Sequence, residues 1–278
     1  MELRITTLSE NTVSGVDLLA EWGLSILVET GEVNILLDTA LGIAAGYNAD
    51  TLGIDFSKVN KMVLSHGHFD HTGGLRPVLQ KMRKEIEIIA LPDIWADKYF
   101  HRQGKKDRFI GIPFQPLELE SLGARFSLTT ESTEITDSII TTGEVPMVTE
   151  FEELEPDLVV KEDTGWQQDE ILDDQALIIK TEYGLVVILG CAHRGMINTI
   201  YHAQQLTGVT KIHTVLGGSH LIDTSEERIW LTIAALKELD VERLGLCHCT
   251  GSLATVMMAH EFGDKFFFNN AGTRITLP

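Results

Sequence analysis

The stretch SHGHFDHTGGL, from Ser65 to Leu75, concentrates the side chains of this sequence that are best suited to chemistry. It contains His66, His68, Asp70 and His71. The first two histidines can point the same way if the segment is extended, and the last two residues can approach a second point after a turn. Imidazole and carboxylate suit Zn²⁺, Mn²⁺ or Fe²⁺, and the lack of cysteine here disfavours a structural zinc site. The spacing predicts a metal site, with a histidine-rich surface turn as the alternative.

Three further histidines follow short apolar runs, in the stretches ILGCAHRG, LGGSHL and LCHCTG. His193, His220 and His248 are each predicted just past a buried strand, where open α/β folds collect their functional groups. His193 and His248 are candidate metal ligands, whereas His220 is a ligand, a substrate contact or a structural residue. Cys191 and Cys249 are candidate thiolate ligands, with packing in the core as the alternative.

The elements that must position these residues are predicted as strands first, and then as alternating strands and helices. LRITTL, LSILVET, VNILLD, KMVLS and EIEIIAL have the pattern of strands, and Gly31-Glu32 predicts a hairpin between the second and third. Later helices are predicted to end at Gly208 and Gly263, and another to begin with Ser225 as its N-cap. This order predicts an α/β layered fold with sheets inside and helices outside.

Two segments between these elements are predicted to be lid insertions within a single domain of residues 1–278. Residues 96–116 carry much of the scarce positive charge, and residues 144–175 are acidic and rich in turns. Candidate phosphate contacts are Lys105, Lys106 and Arg108 in the first segment, with a solvated surface as the alternative, and Arg194 beside His193. The stretch GCAHRG also has the small residues of a helix start that offers backbone N–H groups to an anion.

The composition excludes several classes of protein. The 278 residues are 44% hydrophobic and carry a net charge of −19, so a sizeable core is expected and nucleic acid is not an expected partner. An anionic small molecule remains compatible with this charge. No apolar run approaches the roughly 20 residues that span a bilayer, and no signal peptide is apparent. Membrane contact is therefore not expected, and three cysteines, an odd number, favour a reducing, cytoplasmic setting.

With these motifs together, the sequence resembles the metallo-β-lactamase superfamily. SHGHFDHTGGL matches its H-x-H-x-D-H signature and follows strands that end in Asp38, in the stretch ILLDTA. The resemblance implies a four-layer αββα sandwich, with Asp38 orienting a ligand histidine. The metal ligands that it implies are His66 and His68 on a first metal, Asp70 and His71 on a second, and His193 and His248 completing the set.

The expected cofactor is a pair of divalent metal ions, with Zn²⁺ favoured and Mn²⁺ or Fe²⁺ as alternatives. Such a pair activates water and stabilises charge on phosphoryl or acyl oxygens. The expected function is therefore a metal-dependent hydrolase of a phosphate ester or related small molecule, with Asp70 and His220 as candidate catalytic residues.

Two alternatives to the hydrolase remain. GCAHRGMINT, LGGSHL and HCTG together are similar to the superfamily branch named for 7,8-dihydropterin-6-methyl-4-(β-D-ribofuranosyl)aminobenzene 5′-phosphate synthase. That resemblance implies the departure of diphosphate from a pterin without attack by water. A non-catalytic protein that holds a ligand through its metal site is the other alternative.

Overall fold

The structure, a computed structural model, describes residues 2–162 and 165–277. The strands are β1 (Leu3–Ser9), β2 (Ser25–Thr30), β3 (Asn34–Leu37), β4 (Lys61–Val63), β5 (Ile86–Ala90), β6 (Lys98–Phe100), β7 (Arg108–Phe109), β8 (Ala124–Leu128), β9 (Glu134–Thr136), β10 (Ile139–Thr141), β11 (Leu158–Glu162), β12 (Gly165–Gln168), β13 (Leu177–Thr181), β14 (Gly184–Leu189), β15 (Ile212–Gly217), β16 (Arg243–Leu246) and β17 (Arg274–Leu277). The helices are α1 (Ala44–Thr51), α2 (Phe69–Thr72), α3 (Leu75–Met82), α4 (Pro116–Ser121), α5 (Met196–Thr207), α6 (Glu226–Glu238) and α7 (Ser252–Phe262).

The chain divides into two compact units, and the first unit consists of residues 1–130, 154–173 and 270–278. Its main sheet has the strand order β17-β1-β2-β3-β4-β5-β8. The pairs from β17 to β3 are antiparallel, and those from β3 to β8 are parallel. Apolar side chains of α1, α3 and α4 share one buried core with those of β3, β4 and β5. The parallel strands place their carboxyl ends at one edge of this sheet.

The second unit consists of residues 131–153 and 174–269. Its sheet has the order β16-β15-β14-β13-β10-β9, and β14, β15 and β16 are parallel neighbours. Buried side chains of α5, α6 and α7, among them Ile197, Ile233 and Met258, pack with those of the strands in one core. The carboxyl ends of three adjacent parallel strands therefore meet at one edge of the second sheet as well.

The two segments predicted as insertions contain strands that pair with each other in the first unit. β6 and β7 come from residues 96–116, β11 and β12 come from residues 144–175, and the order is β12-β11-β6-β7. Lys98 on β6 is completely buried, so this segment also contributes a charged side chain to the interior of the first unit. The role of the segments as lids stays a prediction.

The structure confirms the α/β class and most of the local signals. Ser225 caps α6 by accepting a hydrogen bond from the Arg228 N–H at 3.2 Å, and α5 ends at Gly208 in the left-handed conformation that favours glycine. α7 ends at Gly263. Within the described ranges, no helix is long and apolar enough to cross a membrane.

Candidate metal centre

The histidine loop, residues 66–71, follows β4 in the first unit. The neighbouring parallel strand β3 ends at Leu37, so Asp38 and Ser65 emerge at the same edge of the sheet. Asp38 is in the left-handed region, at φ 57°, a conformation that aspartate adopts more readily than most residues. Its backbone N–H donates to the carbonyl of Val63 at 2.9 Å. The turn that ends β3 therefore directs the Asp38 carboxylate toward the histidine loop.

Asp38 is completely buried and holds the loop through both carboxylate oxygens. Oδ1 accepts the backbone N–H of Ser65 at 2.7 Å, and Oδ2 accepts the Ser65 hydroxyl at 2.6 Å. Oδ2 also lies 2.6 Å from the Nδ1 of His71. Because a carboxylate accepts hydrogen bonds, Nδ1 carries the ring proton and Nε2 keeps the lone pair that a metal needs.

The rings of His66 and His68 contact each other edge to face inside the same loop. The Nε2 of His66 lies 3.1 Å from the Nδ1 of His68, and the two ring centroids are 4.6 Å apart. The other ring nitrogen of His66, Nδ1, lies 2.9 Å from the Ser65 hydroxyl. Nitrogens that share a tetrahedral zinc ion lie roughly 3.3 Å apart, since each Zn–N bond is about 2.0–2.1 Å long. The spacing of these two nitrogens fits a shared ion.

Asp70 and His71 complete the loop at the start of α2. Both are buried, and the ring of His71 lies 4.2 Å from that of His66. The Oδ2 of Asp70 accepts a hydrogen bond from the indole N–H of Trp22 at 2.9 Å. Nothing in the sequence pattern indicated Trp22, because the contact spans 48 positions. The loop thus holds three imidazoles and a carboxylate out of solvent, which suits a bound cation.

A buried ion cluster holds the middle of the loop. The backbone N–H of Gly67 donates to Oδ2 of Asp173 at 2.7 Å, and the Nζ of Lys98 donates to the Oδ1 of Asp173 at 2.9 Å. Asp169 binds the same Nζ at 3.0 Å. A side chain at Gly67 would collide with the carbonyl of Ile94. Glycine at this position is therefore required by close packing.

The charges of this cluster shift the titration of its members. Burial by itself lowers the pKa of Lys98, but the negative charges of Asp173 and Asp169 outweigh it and raise that pKa above its ordinary value. Burial raises the pKa of both carboxyls, against the opposing effect of the lysine charge. Each partner is therefore needed to keep the others ionised in the interior.

A glycine pair, Gly73 and Gly74, joins the end of α2 to the start of α3. Gly73 (φ −63°) and Gly74 (φ −81°) are both in the ordinary helical region. A side chain at Gly74 would collide with the carbonyl of Thr39. The small size of glycine, and not its conformational freedom, lets α3 begin close to the loop after β3.

In the second unit, the three predicted histidines lie past the ends of β14, β15 and β16, as the sequence predicted. Ala192, His220 and His248 are all in the left-handed region, at φ 52°, 45° and 54°. Three non-glycine residues in this region, one after each strand, are uncommon and store backbone strain. Strain at these loops fits a functional role for the side chains they carry.

These loops bring two groups of donor atoms together within the second unit. The donor atoms of Cys191, His193 and His220 all lie within 4.8 Å of one another, and so do those of Cys191, His248 and Cys249. The rings of His193 and His220 are 4.0 Å apart. The sequence singled out all of these residues, with Cys191 and Cys249 as candidate thiolate ligands or as core residues.

Cys249 is surrounded by polar groups. Its sulfur accepts the backbone N–H of His220 at 3.3 Å and lies 3.7 Å from the carbonyl of Cys191. Burial raises the pKa of the Cys249 thiol. Hydrogen bonds with Cys191 and His220 and the charges of nearby imidazoles lower it by more, so the pKa lies well below its ordinary value. Cys247, on the other side of His248, accepts a hydrogen bond from Asn269 at 3.5 Å.

The predicted anion site at the start of α5 is filled by the protein itself. The carboxylate of Glu152 accepts the backbone N–H groups of Ile197 and Asn198 at 2.9 and 2.8 Å. Burial raises the pKa of Glu152, against these two hydrogen bonds. The prediction of an open anion site at this helix start is wrong, because a buried carboxylate from residues 144–175 takes its place.

The four predicted phosphate contacts have different surroundings. Arg194 is buried, and its Nε donates to the carbonyl of Val145 at 2.6 Å. Lys105 and Lys106 are exposed. Arg108 is also exposed, but its guanidinium lies 5.0 Å from the ring of Phe69, the residue that follows His68. Among these four residues, Arg108 is the one whose charged group lies against a residue of the histidine loop.

The fold and these clusters define a class of protein. The chain belongs to the metallo-β-lactamase superfamily, whose family model matches residues 23–248. A crystal structure of a metal-dependent hydrolase of the β-lactamase superfamily is 28% identical, with a TM-score of 0.84 and coverage of 99% of both chains. These findings confirm the predicted fold class.

Two curated relatives come from Methanocaldococcus jannaschii. One is 7,8-dihydropterin-6-methyl-4-(β-D-ribofuranosyl)-aminobenzene-5′-phosphate synthase, 33% identical over 91% of this chain and 89% of its own length. The other is an uncharacterized protein, 32% identical over 91% of this chain and 92% of its own length. The predicted resemblance to the synthase branch is confirmed.

Proposed function

We propose that this chain is a metal-dependent hydrolase of phosphate esters of small molecules, with the histidine loop as a metal-binding element. The facing Nε2 of His66 and Nδ1 of His68, 3.1 Å apart in a buried loop, are the observation that carries the proposal. The Nδ1 of His71 is already engaged by Asp38, so its Nε2 also suits a ligand role. His193 and His248 as further ligands stay a prediction of the family resemblance.

The residues of the chain have distinct roles in this proposal. Bound divalent metal ions would supply stabilisation of negative charge on the phosphoryl oxygens and a lowered pKa for attacking water. Asp38 holds His71 in the tautomer that binds, and Asp173 holds the backbone of Gly67. Asp70 is the group we propose for proton transfer to and from the substrate, and a catalytic role for His220 stays a prediction of the sequence.

The anionic end of the substrate has a candidate contact in Arg108. Its guanidinium packs over Phe69, and an exposed planar cation can bind two phosphate oxygens at once. Lys105 and Lys106 lie in the same segment and are also exposed. Arg108→Gln is therefore expected to raise KM for phosphorylated substrates more than Lys106→Gln does.

The test is a comparison of metal content and activity across matched histidine variants. His68→Ala removes a loop imidazole, whereas His260→Ala removes an exposed one on α7. Phosphodiesters, phosphomonoesters, lactones and thioesters are the substrates to screen. We expect His68→Ala to lose bound metal and to lose activity by about 100-fold or more, and His260→Ala to match the wild type. Equal metal content and rates in all three proteins would refute the proposal, and metal without turnover would favour a ligand-binding protein.

A second candidate function is supported by the relative that is 33% identical over 91% of this chain. In that case diphosphate would leave a 7,8-dihydropterin as it is joined to the phosphorylated arylamine. The two candidates differ in what diphosphate release requires. With a dihydropterin diphosphate ester as substrate, release that needs 4-(β-D-ribofuranosyl)aminobenzene 5′-phosphate indicates the synthase. Release without it, with oxygen from solvent in the products, indicates the hydrolase.

A further inference from the structure

Cys191 lies two residues past β14, in the same loop of the second unit as His193. Its sulfur and a ring nitrogen each of His193 and His220 all lie within 4.8 Å of one another. Cys191 and His193 are almost completely buried, and the two imidazole rings are 4.0 Å apart. One thiol and two imidazoles therefore face the same small space at the ends of adjacent strands.

The spacing of these atoms suits a single metal ion. In tetrahedral zinc sites the Zn–S bond is about 2.3 Å and the Zn–N bond about 2.0–2.1 Å, which separates the ligand atoms by roughly 3.3–3.6 Å. Donor atoms within 4.8 Å of one another can reach that spacing by small side-chain rotations. Three protein ligands leave a fourth position open, which is the pattern of catalytic zinc sites.

We propose that Cys191, His193 and His220 form a thiolate-containing metal site. The inference rests on the proposed function and deepens it, because it gives the enzyme one metal position with a soft ligand. Thiolate sulfur favours Zn²⁺, and its spectroscopic substitutes Co²⁺ and Cd²⁺, over Mn²⁺, which suits oxygen ligands. His220 thereby changes from a candidate catalytic residue to a ligand.

The other two cysteines provide matched comparisons. The sulfur of Cys249 accepts a hydrogen bond from the backbone N–H of His220 at 3.3 Å, so it helps to hold the His220 backbone in place. Cys247 accepts a hydrogen bond from Asn269 and belongs to neither group of donor atoms in the second unit. A buried cysteine is commonly explained by packing. Packing alone does not account for the two imidazoles, of His193 and His220, that lie near the sulfur of Cys191.

The experiment is a titration of metal-free full-length protein with Co²⁺ or Cd²⁺. The readouts are metal ions bound per chain and the near-ultraviolet charge-transfer absorption that arises only when thiolate sulfur binds the ion. The proteins compared are the wild type, Cys191→Ser, Cys249→Ser, Cys247→Ser and Cys191→Asp. We expect the band in the wild type, Cys247→Ser and Cys249→Ser, and its loss in both Cys191 variants. Cys191→Asp should still bind the ion, and its preference should shift toward Mn²⁺.

Each other outcome has a defined meaning. A wild-type protein that binds metal without the band would overturn the thiolate site and leave the proposed enzyme intact. A band that survives in Cys191→Ser, or that disappears with Cys249→Ser alone, would overturn the assignment to Cys191. No bound metal in the wild type would refute the proposed function together with this site. Cys191→Asp separates a lost ligand from a misfolded loop, because it restores a donor atom.

Discussion

The carboxylate oxygens of Asp38 accept two hydrogen bonds from Ser65, just before the histidine loop, and one from the Nδ1 of His71 within it. An imidazole has one proton to place when neutral, so the partner of Nδ1 decides whether Nε2 can bind a metal. At the scale of single residues, Asp38 therefore fixes the tautomer of His71, a candidate metal ligand. This effect depends on the charge of the Asp38 side chain and not on its shape.

Asp38→Asn is the substitution that tests this role. Asparagine tolerates the left-handed backbone, and its Oδ1 can still accept the Ser65 N–H. Its amide NH₂ would face the Nδ1 of His71 and reverse the ring tautomer. We expect metal affinity to fall by about 10–100-fold, as measured by equilibrium metal titration. Asp240→Asn, at another aspartate with positive φ, should leave the affinity unchanged. Equal affinity in both variants would argue against tautomer control.

At the scale of elements, β6 supports the histidine loop from within the first unit. Lys98 on this strand neutralises Asp169 and Asp173, and Asp173 in turn accepts the N–H of Gly67. These side chains are buried, so removing one charge leaves the others without compensation. Residues 96–116, which were predicted to be a lid, thus also support the histidine loop through Lys98.

Lys98→Met is expected to lower the free energy of unfolding by about 3–5 kcal/mol, because two buried carboxylates lose their counter-charge. Urea denaturation of the metal-free protein measures this loss. Lys81→Met removes a solvent-accessible partner of Asp50 and should cost no more than about 1 kcal/mol. A similar loss in the two variants would show that the buried cluster adds nothing beyond a surface ion pair.

At the scale of the whole molecule, buried titrating groups make stability depend on pH in two directions. Burial raises the pKa of Glu152, Asp169 and Asp173, so their contribution to stability is greatest below the unfolded-state values and is lost as pH rises. Burial lowers the pKa of His202. Its contribution is therefore fully present above the ordinary value of 6.5 and is lost as pH falls.

His202 offers the cleaner test of this linkage. It lies half-buried on α5, and its Nε2 lies 3.1 Å from the carbonyl of Thr142, which a glutamine amide can also reach. Between about pH 7.5 and pH 5, the free energy of unfolding should fall more in the wild type than in His202→Gln. Urea denaturation at a series of pH values measures both. Parallel curves would show that the imidazole titrates alike in the folded and unfolded chains.

How far the sequence predicts this molecule depends on the range of each interaction. The histidine loop and the caps of α5 and α6 were predictable, because they depend on residues a few positions apart. The Lys98–Asp173 contact spans 75 positions, and a buried lysine has the same local pattern as an exposed one. Glu152 at the start of α5 was missed for the same reason. Long-range polar contacts of this kind require the fold before they can be recognised.

The pairing of the first strand with the last has a consequence for biosynthesis. β1 lies between β2 and β17 in the main sheet, and Leu3 is opposite Leu277. At about 5–20 residues per second, a ribosome takes roughly 15–55 s to reach β17 after it has made β1. During that time one edge of β1 lacks its native partner and can pair with another chain. The nascent chain is therefore expected to depend on chaperones until β17 has been made.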